Sequence, residues 1–380
     1  MALAFAAFAC APQPEAPQRV SLQRAEFADL PGWSADRQAA SLDAFRQSCA
    51  VLLRRPAGAS LGADGIAGTA GDWRAVCEAA QRETTTDDRR ARDFLETWFR
   101  PYAVTAGESG EGRFTGYYEP DLRGAQQRGG RYQVPLYGRP DDLVIADLGR
   151  FDKSLDGQTV TGRVSGGQLA PYPARREIDD GALDGRAVPL VWVDSPIDAF
   201  FLHIQGSGRV TLSGGALMRV GYAASNGRPY TAIGRILIER GVIARDRASM
   251  QTIRAWLAAN PAEAREVMAQ NDRYIFFRRL PGTAPEGAQG VALTAGRSLA
   301  VDRRFIPLGV PLWVDTRDPI DPDQPFRRLM VAQDTGSAIR GAIRGDIFFG
   351  HGRFAEHHAG RMNRRGRSYL LLPKAFEPRS

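Results

Sequence analysis

Three aspartates in the C-terminal part of the chain have the residue type and the setting that acid catalysis requires. Asp334 ends the apolar run "RLMVAQD", and Asp302 and Asp346 stand at further strand or turn ends on either side of it. A carboxyl group at the rim of an apolar barrel loses hydration, so its pKa rises and it can carry a proton near neutral pH. General acid cleavage of a glycosidic bond needs such a group. Aspartates beside glycine also commonly cap turns, so spacing alone leaves both interpretations open.

Other kinds of catalytic centre lack suitable residues. The sequence has four histidines, and the pair His357 and His358 is adjacent rather than spaced as metal ligands are. No His-Glu-x-x-His stretch occurs, and the cysteines lie far along the chain from the histidines. The stretch "HIQGSGRV" has no lysine, so it does not match a phosphate-binding loop. The sequence therefore predicts carboxylate chemistry without a metal or a cofactor.

Two polar stretches with glycine are candidates for a binding surface. "DAFFLHIQGSG" is predicted to be a strand that directs Gln205 to one face, and the glycines around Ser207, including Gly208, would let a ligand approach the backbone. "YAASNGRPY" offers Asn226 and Tyr230 beside a turn glycine, although the same residues also fit a simple Asn-Gly turn.

The surrounding pattern predicts short strands with helices at the periphery. Residues up to about 100 have helical periodicity, and strand-like and turn-like segments follow from "FTGYYEP" onward. Helices are predicted in "SMQTIRAWLAAN", with Ser249 as N-cap, and in "PAEAREVMAQ". Strands are predicted again in "RYIFFR", "SLAVD", "PLWVD", "RLMVAQD" and "SYLLLP". Because turn signals recur so often, small barrels are favoured over a parallel α/β sheet.

Size and charge narrow the class of protein. A chain of 380 residues is more than one core usually organises, so two domains are expected. The net charge of +7 is carried almost wholly by arginines interspersed with acidic residues, a pattern that does not indicate nucleic-acid binding. A mildly basic surface also suits an acidic polymer or an anionic membrane. No apolar run approaches the roughly twenty residues of a transmembrane helix.

The first residues resemble the end of a bacterial lipoprotein signal. In residues 1–18 a short apolar stretch leads to Cys10, and a proline-rich spacer follows. This pattern predicts acylation of Cys10, with a lipid anchor as the only membrane contact. The basic segment that usually precedes such a stretch is missing, so an apolar N-terminus without this role is the alternative.

The other two cysteines are predicted to be buried. Cys49 and Cys77 each lie on the apolar stripe of a predicted helix. They can pack as small hydrophobic residues or form a disulfide. Since the N-terminus indicates export to an oxidising compartment, we favour the disulfide.

Several segments together carry a resemblance to a known family. "FTGYYEP", "SPIDAFFLHIQGSGRV", "GYAASNGRPYTAIGRILIERG", "SLAVDRRFIPLG" and "AQDTGSAIRGAIRGDIFFG" resemble the membrane-bound lytic murein transglycosylase A family, from about Phe114 to Pro373. The segment with the three aspartates resembles the family's 3D domain, a double-psi β-barrel. The resemblance implies a periplasmic lipoprotein, anchored to the outer membrane, that cleaves the MurNAc–GlcNAc β-1,4 bond of peptidoglycan as an exolytic transglycosylase, without water.

The resemblance also implies an architecture and a site. Residues 19–120 and 271–380 would form one discontinuous domain of helices and barrel, and residues 121–270 an inserted β-domain, with the glycan in the groove between them. The family's catalytic aspartate corresponds to Asp334. The candidate substrate-binding residues are Asp302, Asp346, Tyr117, Gln205, Ser207, Gly208, Asn226 and Tyr230. Asp302 and Asp346 are predicted either to orient the loop or to bind sugar hydroxyls.

This chemistry explains how one carboxyl group can suffice. A hydrolase usually needs two carboxylates, whereas a lytic transglycosylase uses the C6 hydroxyl of its own substrate as the nucleophile. Two alternatives remain open at the level of sequence: an inverting glycoside hydrolase with Asp334 and Asp346 as its pair, and a non-catalytic peptidoglycan-binding protein. Peptidoglycan glycan strands are the expected partner, with other cell-wall synthesis or hydrolysis proteins as further candidates.

Overall fold

The computed structural model describes residues 20–107, 109–282, 285–336 and 338–378. Cys10 lies outside these residues, so the predicted lipid attachment has no structural counterpart here. The described residues are mainly β-structure with helices at the periphery, which confirms the predicted fold class. The strands are β1 (Val20–Arg24), β2 (Phe99–Ala106), β3 (Gly112–Glu119), β4 (Asp121–Ala125), β5 (Val134–Tyr137), β6 (Val144–Asp147), β7 (Thr159–Ser165), β8 (Gln168–Pro171), β9 (Pro189–Val193), β10 (Ser207–Leu212), β11 (Leu217–Ser225), β12 (Ile275–Arg279), β13 (Ser298–Val301), β14 (Pro311–Arg317), β15 (Pro325–Asp334), β16 (Arg344–His351) and β17 (Asn363–Pro373).

The first sheet has eight strands in the order β1-β2-β17-β14-β15-β13-β16-β3. Strand β17 also pairs with β3, so the last six strands of this order close into a ring. Most pairs are antiparallel, but β13 with β15 and β16 with β3 are parallel. A closed ring leaves no unpaired edge among its members and holds the ends of β13, β15 and β16 side by side.

The second sheet is built from the chain between β3 and β13. Its six strands follow the order β12-β11-β10-β4-β9-β5, and the chain enters it directly after Pro120. Because β12 forms an antiparallel ladder with β11, this sheet extends to Arg279, beyond the boundary at residue 270 that the sequence predicts. A third, small sheet joins β6, β7 and β8.

Nine α-helices lie among the described residues, and one of them replaces a predicted strand. The stretch expected to be a strand before Gly206 is a helix, and its ends explain why. The Ser195 hydroxyl accepts the Asp198 N–H at the N-cap, Pro196 occupies the first turn, and Gly206 adopts a left-handed conformation at the C-cap. A short apolar run does not distinguish a buried strand from a buried helix. The helices are α1 (Gln38–Leu52), α2 (Ala70–Arg82), α3 (Asp88–Trp98), α4 (Arg175–Asp179), α5 (Pro196–Gln205), α6 (Ile233–Glu239), α7 (Met250–Ala259), α8 (Pro261–Ala269) and α9 (Gly352–Ala359).

The first two helices are joined by a covalent bridge. Cys49 of α1 and Cys77 of α2 are fully buried and form a disulfide, with their Cα atoms 5.0 Å apart. Three buried aromatic rings, Phe45 of α1, Trp73 of α2 and Phe99 of β2, pack in tilted or edge-on pairs with centroids 5.4 to 6.1 Å apart. The bridge therefore fixes a helical layer that packs against the first sheet.

Loss of this bridge should weaken the fold. The bridge joins residues 28 positions apart, and closing a loop of such length typically stabilises a protein by about 2–4 kcal/mol. We expect the Cys49→Ser/Cys77→Ser variant to show a lower free energy of unfolding by that order in denaturant titrations. Thiol labelling of the exported, denatured but unreduced protein provides the control. Stoichiometric labelling of both cysteines would show that the bridge does not form.

Candidate active site

The alternation of side chains along β15 sets the direction in which the Asp334 side chain points. The preceding residue, Gln333, is fully buried and donates hydrogen bonds from Nε2 to the Ala44 carbonyl oxygen (2.8 Å) and the Ser48 hydroxyl (2.9 Å), both on α1. Successive side chains of a strand point to opposite faces. Asp334, the last residue of β15, therefore points away from the helical layer.

Both carboxylate oxygens of Asp334 are held, but in different ways. Oδ1 accepts the backbone N–H groups of Ala288 and Thr335, each at 2.9 Å. Oδ2 accepts the hydroxyl of Tyr117 at 2.8 Å. Because two N–H donors occupy Oδ1, a proton on this group resides on Oδ2.

The surroundings raise the pKa of Asp334. The main cause is burial, the nearby charge of Asp346 adds to it, and the three hydrogen bonds oppose it. An apolar cluster lies next to the half-buried carboxylate, and the ring centroids of Tyr117 and Phe348 lie 5.2 Å apart within it. Its buried members are Tyr117, Leu293, Ala300, Ile339 and Phe348.

Sheet register brings Asp334 and Asp346 to the same level of the ring. Ala300 of β13 lies opposite Asp334 on one side and opposite Asp346 on the other. Neighbouring strands are spaced about 4.8 Å apart, so the two aspartate Cα atoms lie roughly 10 Å apart. The two carboxylates thus form one local group although twelve positions separate them in the sequence.

Asp346 has its own supporting residues. The Thr115 hydroxyl donates a hydrogen bond to Asp346, and Arg344 Nη2 donates to the Thr115 hydroxyl at 2.8 Å. Burial raises the pKa of Asp346, while Arg344 and Thr115 oppose that rise. The sequence analysis missed both residues. Thr115 could have been found from the sequence, because it lies two residues before Tyr117 on the same face of β3. Nothing in the local sequence distinguishes Arg344 from the other arginines.

Asp302 is buried, so its contacts fit the first of the two roles predicted for it, orienting the loop, rather than binding sugar hydroxyls. Only 2% of the residue is exposed, and its carboxylate accepts hydrogen bonds from the Arg304 guanidinium and the Gly341 N–H. Burial alone would raise the pKa of Asp302, but these bonds hold it below its ordinary value. Asp302 therefore ties the turn after β13 to the loop that follows Asp334.

Asn226 is also engaged inside the protein, contrary to the prediction of a glycan contact. Its side chain is fully buried, and its Oδ1 accepts the Tyr274 N–H at 2.9 Å. Its Nδ2 donates to the carbonyl oxygens of Pro173 and Asp272 at 2.9 and 2.8 Å. With these bonds made, Asn226 shapes the loop that carries Tyr230.

Tyr230 remains accessible beside the carboxylates. It is 37% exposed, and both its partial burial and the charge of Asp346 raise its pKa. Tyr230 is therefore an accessible residue of the inserted segment, and its contact with glycan stays a prediction.

Contacts within the protein explain the residues at the end of α5 and the start of β10. Gln205 Oε1 accepts the Tyr118 N–H at 3.1 Å, which links α5 to β3. A Cβ atom on Gly208 would lie 2.4 Å from Leu202 Cδ1, so this glycine allows close packing within the protein rather than the approach of a ligand. Ser207 is half-buried at the start of β10.

Among the described residues, no group of three or more His, Cys, Asp or Glu side chains is arranged to hold a metal ion. In the same part of the chain, no helix has the length and apolar character needed to cross a bilayer. The arrangement around Asp334 offers one partly desolvated carboxyl group that can release a proton from Oδ2 and then accept one. This is the chemistry of a general acid that becomes a general base.

Family models match most of the chain. Residues 113–278 match the MltA specific insert domain, and residues 297–372 match the 3D domain. The membrane-bound lytic murein transglycosylase A of Escherichia coli (strain K12) is 33% identical over 293 residues, which cover 75% of this chain and 72% of the relative. The enzyme of that name from Vibrio cholerae is 30% identical over 265 residues, covering 68% and 64%.

Solved structures are similar over nearly the whole chain. The membrane-bound lytic murein transglycosylase of Agrobacterium tumefaciens has a TM-score of 0.82 at 38% identity, with 93% of this chain and 98% of that chain covered. MltA from Neisseria gonorrhoeae has a TM-score of 0.77 at 34% identity, with 94% and 92% covered. E. coli MltA with bound chitohexaose has a TM-score of 0.64 at 29% identity, with 96% and 93% covered.

Proposed function

The chain belongs to the membrane-bound lytic murein transglycosylase A family and is a peptidoglycan lytic transglycosylase, and we propose that Asp334 is its single catalytic acid and base. The observation that carries this proposal is the difference in hydrogen bonding between its two carboxylate oxygens. Two backbone donors fix Oδ1, whereas Oδ2 has the Tyr117 hydroxyl as its one partner among the described residues. Burial raises the pKa of Asp334, so its acid form persists to higher pH than that of a free aspartic acid.

The reaction then follows in two proton transfers. Protonated Oδ2 donates its proton to the departing GlcNAc O4 as the bond from MurNAc C1 to O4 breaks. The C6 hydroxyl of the same MurNAc attacks C1, and its proton passes to the Asp334 carboxylate. The product ends in a 1,6-anhydro sugar, Asp334 regains its proton, and no water is consumed.

Tyr117 supports the anionic form of Asp334 between the two transfers. Burial, and then the charges of Asp334 and Asp346, raise the pKa of Tyr117 well above its ordinary value, so the phenol keeps its proton and remains a donor. A hydrogen bond to an ionised acceptor is stronger than one to a neutral acceptor, so this contact stabilises the carboxylate when it forms.

The identity of the product ends tests the proposal directly. Mass spectrometry of digested sacculi should find 1,6-anhydro ends, which are one water lighter than reducing ends. Reducing ends would instead indicate the inverting hydrolase that uses Asp334 and Asp346 as a pair. Intact glycan after prolonged incubation would indicate a binding protein without catalysis.

Glycan strands are the proposed occupant of the groove between the ring and the inserted sheet. The structure of E. coli MltA with bound chitohexaose supports binding of a glycan chain by this fold. Asp346 and Tyr230 are the proposed contacts, with Gln205 and Ser207 at the rim. For the exolytic mode, we expect the length distribution of the remaining strands to shorten gradually during digestion. We also propose other cell-wall enzymes as partners, to be sought by cross-linking in cells.

Asp346 should tune the acidity of Asp334. Its negative charge raises the pKa of Asp334, so the Asp346→Asn variant should have a lower Asp334 pKa. The acid form would then be lost at lower pH, and the alkaline limb of the rate profile should move toward acid. Rates of anhydro-product release across pH measure this shift. An alkaline limb that stays in place or moves toward higher pH would contradict the coupling.

The location of the protein is proposed from its relatives and its N-terminus. Its relatives are named membrane-bound, and we propose a lipid on Cys10 that holds the enzyme to the outer membrane from the periplasm. The Cys10→Ser variant, expressed behind a functional signal, should move from the membrane fraction to the soluble periplasmic fraction. Unchanged membrane association would rule out Cys10 as the anchor.

A further inference from the structure

A cavity of about 650 Å³ lies in the inserted region, between the second sheet and helices α4, α5 and α8. Neither Asp334 nor Asp346 lines it, so it is separate from the site described above. Aromatic and charged side chains share its wall, including Trp192 and Phe200. The function proposed so far gives this cavity no role.

A buried arginine directs an unused donor toward this cavity. Only 3% of Arg175 is exposed; its Nε donates to the Asn271 carbonyl oxygen at 3.0 Å and its Nη2 to the Arg273 carbonyl oxygen at 2.6 Å. Its Nη1 has no hydrogen-bond partner among the described residues and is not sealed from solvent. The guanidinium carbon lies 4.9 Å from the Phe200 ring and 5.1 Å from the Tyr274 ring.

Two further buried donors adjoin the arginine. His203 is 7% exposed, and its Nδ1 accepts the Ile275 N–H at 3.0 Å. Burial and the charge of Arg175 hold the pKa of His203 well below its ordinary value, so the ring is neutral and carries its proton on Nε2. Tyr274 is 3% exposed, and its ring centroid lies 4.2 Å from that of His203. Its hydroxyl likewise has no partner in the part of the chain that the structure describes.

Three donors on buried residues, each open to the cavity and without an acceptor among the described residues, favour an anionic ligand. A hydrogen bond from such donors to a charged acceptor is stronger than one to a neutral acceptor. Burial raises the pKa of Tyr274, so its hydroxyl remains protonated and can donate. The set formed by Arg175 Nη1, His203 Nε2 and the Tyr274 hydroxyl matches the several lone pairs of a carboxylate.

The opposite charge is present at the same cavity. Asp179 lies one helical turn from Arg175 on α4 and makes no hydrogen bond or ion pair among the described residues. Asp184 lines the wall nearby and accepts the Tyr137 hydroxyl at 3.4 Å. These acids suit an ammonium group, and the aromatic wall between them suits an aliphatic body.

We propose that this cavity binds a short peptide through a free carboxylate and an ammonium group. We infer that the peptide is one attached to the glycan, an inference that rests on the proposed function. Helix α5 contributes His203 to the cavity and, two residues later, Gln205 to the contact with Tyr118 beside the active-site residue Tyr117. His203 and Gln205 lie about 3 Å apart along the helix axis, and an extended tetrapeptide reaches about 13 Å.

Calorimetry with three probes tests the site, with full-length Asp334→Asn protein as the background that does not cleave. The probes are a glycan strand bearing tetrapeptides, the same strand without peptides, and the free tetrapeptide. We expect the peptide-bearing strand to bind more tightly than the bare strand. Adding Tyr274→Phe should weaken its binding about tenfold, since one hydrogen bond to a charged group is lost. Tyr222→Phe, an exposed tyrosine of β11, is the matched control and should bind as the background does.

The outcomes separate this inference from the proposed function. Equal affinity for strands with and without peptides, together with no binding of free peptide, would overturn the peptide site. Unchanged binding in both Tyr274→Phe and Arg175→Lys would overturn it as well. Binding of free peptide alone would support the carboxylate and ammonium chemistry and assign the site to released peptides. Cleavage of bare strands by the wild-type enzyme tests the proposed function by itself.

Discussion

The Asp334→Asn variant is expected to fold, to bind glycan strands and to lose nearly all cleavage. An amide keeps the shape of the carboxyl group and can still accept the Ala288 and Thr335 N–H groups, but its N–H protons are not acidic enough to be transferred to the leaving oxygen. General acid catalysis typically contributes about 10²- to 10⁴-fold, and one group here serves both transfers, so the loss should lie in the upper part of that range. Release of anhydro-muropeptides from purified sacculi measures it.

Companion variants make this result specific. Asp302→Asn and Asp346→Asn should reduce cleavage less, because Asp302 holds a turn through Arg304 and Asp346 is proposed to contact substrate rather than to transfer protons. An inverting hydrolase would instead lose comparable activity with Asp334→Asn and Asp346→Asn. Near-wild-type release of anhydro products by Asp334→Asn would refute the assignment of Asp334.

Stability measurements separate a catalytic loss from a folding defect. The pKa of Asp334 is higher in the folded than in the unfolded chain, because burial disfavours its anion. The wild-type protein therefore loses stability as the pH rises from the Asp334 pKa of the unfolded chain to that of the folded chain. The loss persists at higher pH. An asparagine does not ionise, so the variant should escape this loss. At neutral pH its free energy of unfolding should equal or exceed that of the wild type.

The sequence predicted the mainly-β fold and directed attention to Asp334 because both depend on local pattern. An apolar run ending in an aspartate marks the end of β15, and repeated turn signals indicate short strands. The same reasoning mistook α5 for a strand, because the apolar residues before Gly206 have no clear period. It also treated Gly208 and Asn226 as ligand contacts, whereas packing against Leu202 and bonds to buried carbonyls explain them.

The rest of the site depends on contacts between distant segments. The alignment of Asp334 with Asp346 follows from the register of both strands against Ala300. The Ala288 donor is a backbone N–H, which every residue except proline has, so no side chain marks it. The unused donors beside Arg175 become visible only when the partners of its other nitrogens are known. Spacing along the chain could not predict these features.

The Arg219→Met variant should be strongly destabilised, because it would leave a buried carboxylate without its partner. Arg219 of β11 pairs with Glu119 at the end of β3, and their side chains are only 3% and 1% exposed. Glu119 precedes Pro120, where the chain passes from the first sheet to the second. Breaking a buried pair by removing one partner typically costs about 3–5 kcal/mol. Urea unfolding at neutral pH should show a loss of that order.

The double variant Glu119→Gln/Arg219→Met should recover most of this loss. In the native pair, Glu119 Oε2 and two of the three guanidinium nitrogens of Arg219 have no hydrogen-bond partner among the described residues, so the pair is incompletely satisfied. Replacing both partners by neutral groups of similar size removes the buried charges together. Arg235→Met provides the control, because Arg235 and its partner Glu239 are 73% and 64% exposed and should contribute little.

The pH dependence of the Arg219→Met variant identifies the charge as the cause. Burial already raises the pKa of Glu119 in the wild-type protein, and Arg219 opposes that rise, so removal of Arg219 should raise the pKa further. A carboxyl group whose folded pKa exceeds its unfolded value weakens the fold as pH rises between the two values. The deficit should therefore shrink on mild acidification, when Glu119 takes up a proton. If the deficit is the same at acidic and neutral pH, its cause is the lost packing of the arginine side chain and not an unpaired carboxylate. Packing of Arg219, rather than its charge, then holds the two sheets together at Pro120.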